Sequence, residues 1–236
     1  MFTLKRGSVS ELGIESTGPR IIAIETEVKV SPGDLSKWES RVMLELGRVK
    51  AGYAWVFPKA DHLSIGIGSM PHKAKHLKKR YYEFLASLEL ENYEVKNWSS
   101  AFIPVCTGKP STGKGRAILI GDAAGLGDPL TGEGIYNAVL SAKLAGEAII
   151  NALAAGNPDL AEYARLMEQK IAPEMKIANT YSNLLTMFPG RLFNMVRGEE
   201  RVWRGACRLL RGERNYNDIK DRLNSLGGMY KFVFKR

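Results

Sequence analysis

The stretch from Ala117 to Ile135, AILIGDAAGLGDPLTGEGI, constrains the chain more than any other. Four apolar residues, Ala117-Ile118-Leu119-Ile120, make the short continuous run expected of a strand buried on both faces. The run stops at Gly121-Asp122, passes through small and glycine-rich residues, and turns helical from Glu133. This order predicts a strand, a tight turn and a helix whose first backbone N–H groups are free. Those donors and the helix dipole favour an anionic or carbonyl group at that point. Asp122 stands at the carboxyl end of the strand, where open α/β sheets bind ligands. A carboxylate there can accept hydrogen bonds from sugar or polyol hydroxyls. Taken one by one, the glycines equally fit turn geometry and the aspartate a cap.

Upstream the chain reads as strands joined by short loops. Ser16-Thr17-Gly18-Pro19 is a turn, and Ile21 to Val30 alternates, with Ile22, Ile24, Thr26 and Val28 on one face. Ser31-Pro32-Gly33-Asp34 reads as a turn. Strands follow at Arg41 to Leu46, Ala54 to Phe57 and His62 to Ile67, which implies an antiparallel sheet. Residues 73 to 89 carry Leu77, Tyr81, Phe84, Leu85 and Leu88 at helical spacing. A further strand at Ser100 to Val105 leads to the link Thr107 to Gly115. Beyond the central stretch, a helix from Glu133 to Ala154 has a small-residue face of Ala138, Ser141, Ala142, Ala145 and Gly146. Gly156-Asn157-Pro158-Asp159 stops it. The next helix is interrupted at Pro173, and the remainder is helical and basic, ending in Gly227-Gly228 and a short tail.

A second motif lies in Gly52 to Gly68, GYAWVFPKADHLSIGIG. Tyr53, Trp55 and Phe57 alternate, so on a strand they share one face and build a broad apolar wall. Pro58 ends that strand. Composition alone favours ordinary sheet core for these aromatics.

The two motifs together resemble the geranylgeranyl reductase family. Ala117 to Ile135 is similar to the second flavin-binding motif of the FAD-dependent hydroxylase and geranylgeranyl reductase group. The spacing Tyr53-x-Trp55-x-Phe57-Pro58, followed after seven residues by Gly66-x-Gly68, looks like the substrate-pocket signature of archaeal geranylgeranyl reductases. The resemblance covers most of the chain to about residue 155 and is weak over the C-terminal helices. It implies FAD as cofactor. Asp122 would meet the ribityl chain, and Gly121, Pro129, Gly132, Glu133, Gly134 and Ile135 would line the flavin, the last four at its pyrimidine edge. Tyr53, Trp55, Phe57, Pro58, Gly66 and Gly68 would line a tunnel for an isoprenoid chain.

The fold class implied is α+β / α/β, a partial FAD-dependent hydroxylase-like fold. Residues 1–18 would be a linker to an N-terminal FAD-binding half that the sequence lacks, and 19–112 an antiparallel-sheet substrate domain. Residues 113–156 would be the second FAD-binding segment, and 157–236 a C-terminal helical basic region. The family's Rossmann half has a G-x-G-x-x-G turn, and supplying it takes on the order of a hundred or more residues. Here Gly66-Ile-Gly68-Ser-Met-Pro71 has proline where the third glycine belongs, and neither Cys106 nor Cys207 matches the family's reactive cysteine.

The activity implied is saturation of carbon–carbon double bonds in geranylgeranyl chains of isoprenoid lipids or diphosphates, by a split or truncated reductase. Its electron donor would be ferredoxin, NAD(P)H or a deazaflavin, and a separate N-terminal FAD-binding chain would complete it. Two alternatives stand: an FAD-dependent monooxygenase of the hydroxylase branch, and a non-catalytic fragment or subunit on lipid surfaces.

Charge bears on the last of these. The net charge is +9, clustered at Lys73, Lys75, Lys78, Lys79 and Arg80, and again from Arg191 to Arg214. No nucleic-acid module is recognisable. Trp203, Leu209 and Leu210 interleave with arginines, which favours peripheral contact with an acidic membrane surface. Two distant cysteines and no secretory signal point to a cytoplasmic, reducing setting. Gly108-Lys-Pro-Ser-Thr-Gly113-Lys114 nearly spells a phosphate-binding loop, but Gly115 replaces the needed hydroxyl and a strand follows it. His72 and His76, four apart on a helix, read as a solvated face rather than zinc ligands.

Overall fold

The computed structural model describes residues 18–156, 159 and 161–225. It divides into two compact units, one of Arg20–Ile103 and the other of Met1–Pro19 with Pro104–Arg236. Asn157 and Pro158 of the Gly156–Asp159 helix stop, the first half of the Ser16–Pro19 turn and the Gly227-Gly228 tail lie outside the described residues.

The unit Arg20–Ile103 is a five-stranded sheet in the order β2-β3-β4-β1-β5. Its strands are β1 (Arg20–Val30), β2 (Met43–Leu46), β3 (Gly52–Pro58), β4 (Leu63–Ser69) and β5 (Tyr93–Pro104). The β1–β4, β3–β4 and β2–β3 pairs are antiparallel, as the short loops imply. One face carries Ile24, Val28, Ala54, Val56, Ile65 and Ile67, packed with Leu77, Tyr81, Phe84 and Leu85 of helix α2 (Leu77–Ser87). The Tyr81 and Thr26 hydroxyls hydrogen-bond within this core.

Three expectations change here. Ser31–Asp34 is the start of helix α1 (Pro32–Lys37) rather than a turn. Ser31 Oγ accepts from Asp34 N at 3.0 Å, and Pro32 stands at the first helical position. His72 and His76 do not share a helix: His72 lies in a 3-10 turn, Pro71–Lys73, and His76 caps α2 in a left-handed conformation. Finally, β5 starts seven residues earlier than its apolar pattern suggests. It is an edge strand with Glu94, Lys96 and Asn97 exposed, so burial left little periodicity to read.

The second unit is mainly helical. Its helices are α3 (Ile135–Ala154), α4 (Ala161–Lys170), α5 (Ala172–Met187), α6 (Pro189–Gly198), α7 (Glu200–Leu210) and α8 (Tyr216–Ser225). The break before α5 falls where Pro173 requires it. A core of Leu126, Leu144, Ala148, Tyr163, Met167 and Met175 ties α3, α4 and α5 together.

The segment Ala117–Ile120 departs from the buried strand expected. Only Ala117–Ile118 is a strand, β7, paired antiparallel with β6 (Gly113–Lys114). Leu119 is buried, whereas Ile120 is 43% exposed. A strand is buried on both faces only when a sheet continues beside it and layers cover it. Among the described residues, this one has a two-residue hairpin partner and nothing more.

Candidate functional site

The central turn is built by three local devices. After β7 the chain enters a 3-10 turn, Gly121–Ala124, with Gly121 at φ +54°. A Cβ on Gly121 would stand 3.0 Å from the Ala138 Cβ, so the residue needs both the left-handed conformation and the missing side chain. Gly121 N donates to Ser141 Oγ at 3.1 Å, which seats the turn on α3. Ala138 and Ser141 of the small-residue face therefore bring strand and helix together.

The loop Asp128–Glu133 closes on itself. Asp128 N donates to Glu133 O at 2.7 Å, and Gly132 N donates to Asp128 O at 2.8 Å. Asp128 Oδ1 accepts from Leu130 N at 2.7 Å and Thr131 N at 2.9 Å. Glu133 N donates to Thr131 Oγ1, and Tyr136 N donates to Glu133 Oε1, a side-chain cap on the first turn of α3. Every amide from Leu130 to Glu133 is thus spent inside the loop. Those of Gly134 and Ile135 are spent on no hydrogen bond among the described residues.

Asp122 adjoins these unspent donors. A Cβ on Gly134 would lie 3.3 Å from Asp122 Oδ1. The Asp122 side chain is exposed and has no hydrogen-bond partner among the described residues. Partial desolvation by the surrounding turn raises its pKa above the ordinary aspartate value. An unpaired acceptor beside unpaired amides at a helix start suits a ligand offering both hydroxyl and carbonyl groups. The loop thus fits the polyol and ring-carbonyl side of a flavin. Pro129, Gly132, Glu133, Gly134 and Ile135 are brought together here with Gly121 and Asp122, with Glu133's carboxylate used as a helix cap.

In the other unit, Tyr53, Trp55 and Phe57 line the sheet face opposite α2. Ring centroids are 5.7 Å apart for Tyr53–Trp55 and 6.2 Å for Trp55–Phe57. The sheet core is the other face, made by Ala54 and Val56. The register pairs Trp55 with Gly66 and Tyr53 with Gly68. A Cβ on Gly66 would fall 2.1 Å from Trp55 Cζ2, so the indole lies flat where β4 has no side chain. The aromatic and glycine halves of this motif are one packing unit. Trp55 is 8% exposed, and its Nε1 donates to Glu25 Oε2 at 3.3 Å. Leu44 and Leu46 of β2 extend the wall and remain exposed.

Two residues of the loop's support escaped the sequence reading. Asp128 is buried at the loop's root, and Tyr216 Oη donates to its Oδ2 at 2.7 Å across 88 positions. Asp128 could have been found from the Asp-Pro turn signal. Nothing in the sequence pairs it with Tyr216. Among the described residues no group of acidic, histidine or cysteine side chains could hold a metal, and no helix is long and apolar enough to cross a membrane.

Comparison with known proteins supplies the context. No family model matches the chain. A digeranylgeranylglycerophospholipid reductase of Methanocella arvoryzae is 38% identical over 109 residues, covering 45% of this chain and 28% of that protein. A chloroplastic geranylgeranyl diphosphate reductase of Oryza sativa is 30% identical over 164 residues, 66% of this chain and 35% of that one. Over part of its length the chain is similar to members of the geranylgeranyl reductase family. It spans about half or less of the length of the curated relatives it matches. The fold agrees: a geranylgeranyl bacteriochlorophyll reductase-like structure from Thermoplasma acidophilum superposes with a TM-score of 0.61 at 24% identity, over 75% of this chain and 46% of that one. A flavin-dependent halogenase also shares the fold, at a TM-score of 0.54 and 18% identity, over 77% of this chain and 35% of that one. The partial FAD-dependent hydroxylase-like fold is therefore the one present, and FAD is the cofactor of this family and fold.

Proposed function

We propose that this chain supplies flavin-facing and substrate-facing parts of an FAD-dependent reductase that saturates carbon–carbon double bonds in geranylgeranyl chains of isoprenoid lipids or diphosphates. The observation that carries the reading is Asp122, an unpaired acceptor, beside the unspent amides of Gly134 and Ile135. Asp122 would accept from ribityl hydroxyls. The Gly134 and Ile135 amides would donate to the carbonyl edge of the ring, with Pro129, Gly132 and Glu133 fixing the loop. When bound, FAD would supply the hydride for one alkene carbon, with a proton adding to the other. In the other unit, the wall of Tyr53, Trp55 and Phe57, ended by Pro58 and bedded on Gly66 and Gly68, would orient an apolar chain and exclude water. An electron donor such as ferredoxin or NAD(P)H would renew the reduced cofactor.

Two surfaces support partners for this activity. On α3, Ile135, Tyr136, Val139, Ile150 and Leu153 are exposed, with Ile135 at 78% and Leu153 at 76%. A separate nucleotide-binding chain, carrying the phosphate-binding glycine turn, would cover them. On α7, Trp203 and Leu210 project two turns apart, and Arg201, Arg204, Arg208 and Arg211 occupy another side. This pattern suits peripheral contact with an anionic lipid surface.

The test is incubation with FAD, alone and with a nucleotide-binding half, followed by removal of free cofactor and an assay on a geranylgeranyl lipid with dithionite as the reductant, run with and without oxygen. A retained flavin band and a gain of two hydrogens per double bond are expected. Oxygen-dependent product would identify a monooxygenase instead. A protein colourless under both conditions would overturn the reading.

A further inference from the structure

The geometry points to Tyr216, at the start of α8, as a positioning residue that holds the flavin-type loop in its ligand-ready form. This rests on the functional reading above for its purpose, but the contact stands by itself.

The loop's shape depends on one carboxylate. Asp128 Oδ1 occupies the amides of Leu130 and Thr131, which leaves Gly134 and Ile135 as the free donors. That arrangement needs one side-chain rotamer at Asp128. Its other oxygen, Oδ2, accepts from Tyr216 Oη at 2.7 Å. Asp128 and Tyr216 are both buried, so water cannot easily take either partner's place. Burial, reinforced by the negative charge of Asp128, pushes the Tyr216 pKa far up, so the phenol remains a donor.

Tyr216 is itself fixed from behind. Glu174 of α5 accepts from Tyr216 N at 2.7 Å and also from the Asn217 side chain. Asn215 and Asp218 exchange caps, with Asp218 N donating to Asn215 Oδ1 at 2.8 Å. The Tyr181 ring meets the Tyr216 ring edge-on at 6.0 Å. A chain of contacts therefore runs from α5 through the first turn of α8 to Asp128 and the loop. It gives a role to the C-terminal helices, where the sequence resemblance is weakest.

Hydrogen exchange on the cofactor-free chain tests this directly. In Tyr216→Phe, the Leu130 and Thr131 amides should exchange at least about tenfold faster, while those of β3 and β4 keep their rates. Asp128→Asn keeps an oxygen for the two amides and should restore slow exchange relative to Asp128→Ala. With FAD, Tyr216→Phe should retain the cofactor about tenfold less well and alter the flavin band. Wild-type exchange at Leu130 and Thr131 in a folded Tyr216→Phe protein would overturn the proposal. Should that variant not fold, Glu174→Gln, which loosens α8 without touching the loop, must speed the same amides or the proposal fails. If wild type binds no FAD either alone or with a nucleotide-binding half, the flavin reading fails while the exchange result still decides the clamp.

Discussion

In the unit Arg20–Ile103, the apolar face of the sheet is closed. Val28, Val56, Leu63, Ile65 and Ile67 have no exposure, and Phe84 and Tyr81 of α2 complete the seal. In the second unit, α3 is closed on one side only. Leu144, Ala145 and Ala148 face the core with Tyr163 and Met167, while Ile135, Val139, Ile150 and Leu153 face outward. The outward side is mixed, since Lys143 and Glu147 are exposed there among the apolar residues, but so many exposed apolar side chains on one helix are more than a solvated face needs. The difference teaches that the sheet has the burial it needs for stability, whereas α3 carries exposed apolar side chains that add nothing to its own core and that we propose a nucleotide-binding half covers.

Substitutions in the two regions should separate these cases. Phe84→Ala, in the closed core, should cost about 3–5 kcal/mol in denaturant unfolding of its unit. A loss under about 1 kcal/mol would mean that the core is not sealed as described. The covered side of α3 can be read by pH. Tyr163 is buried, its Oη donates to Leu119 O at 2.7 Å, and burial raises its pKa to about 12. The folded state thus keeps a proton that the unfolded state loses near pH 10. Its contribution is intact below about pH 10 and falls by roughly 2–3 kcal/mol as pH rises toward 12. Tyr163→Phe should flatten that decline in equilibrium unfolding curves.

Gly66→Ala should cost about 1–3 kcal/mol by forcing Trp55 off its bed, with a shift in tryptophan emission. Unchanged emission would show that the wall tolerates repacking. The smallest effect belongs to Leu153→Ala, within about 0.5 kcal/mol for the isolated chain. Yet it should weaken capture of a nucleotide-binding half measurably. A large stability loss at Leu153 would mean that the outer face is already covered in solution, and the comparison would collapse.

Much of this was legible because it is local. The alternation of Ile22, Ile24, Thr26 and Val28 gives β1, the Leu77–Leu88 spacing gives α2, and Pro173 marks the start of α5. The turn residues Gly121, Asp122 and Gly132–Ile135 were readable as one motif, since their geometry is set by neighbours. The supposedly buried strand failed because Ala117–Ile120 encodes a surrounding that the described residues do not supply. The Ser31 cap was present in the letters, but Pro-Gly reads as a turn until the cap is recognised. β5 was hidden by its exposure. The Asp128–Tyr216 bond could not be read at all, since nothing local in either residue's surroundings specifies the other.

That bond also sets an order of events. A loop whose last tie comes from 88 residues downstream cannot be finished while the chain is still emerging from the ribosome. The strand, the turn and most of α3 can form early from nearby contacts, but the loop closes only after α5 and the start of α8 have been synthesised and have docked. On the proposed function, cofactor loading would then be a late step in biogenesis, and a nascent chain halted before Tyr216 should present an open loop to the cell.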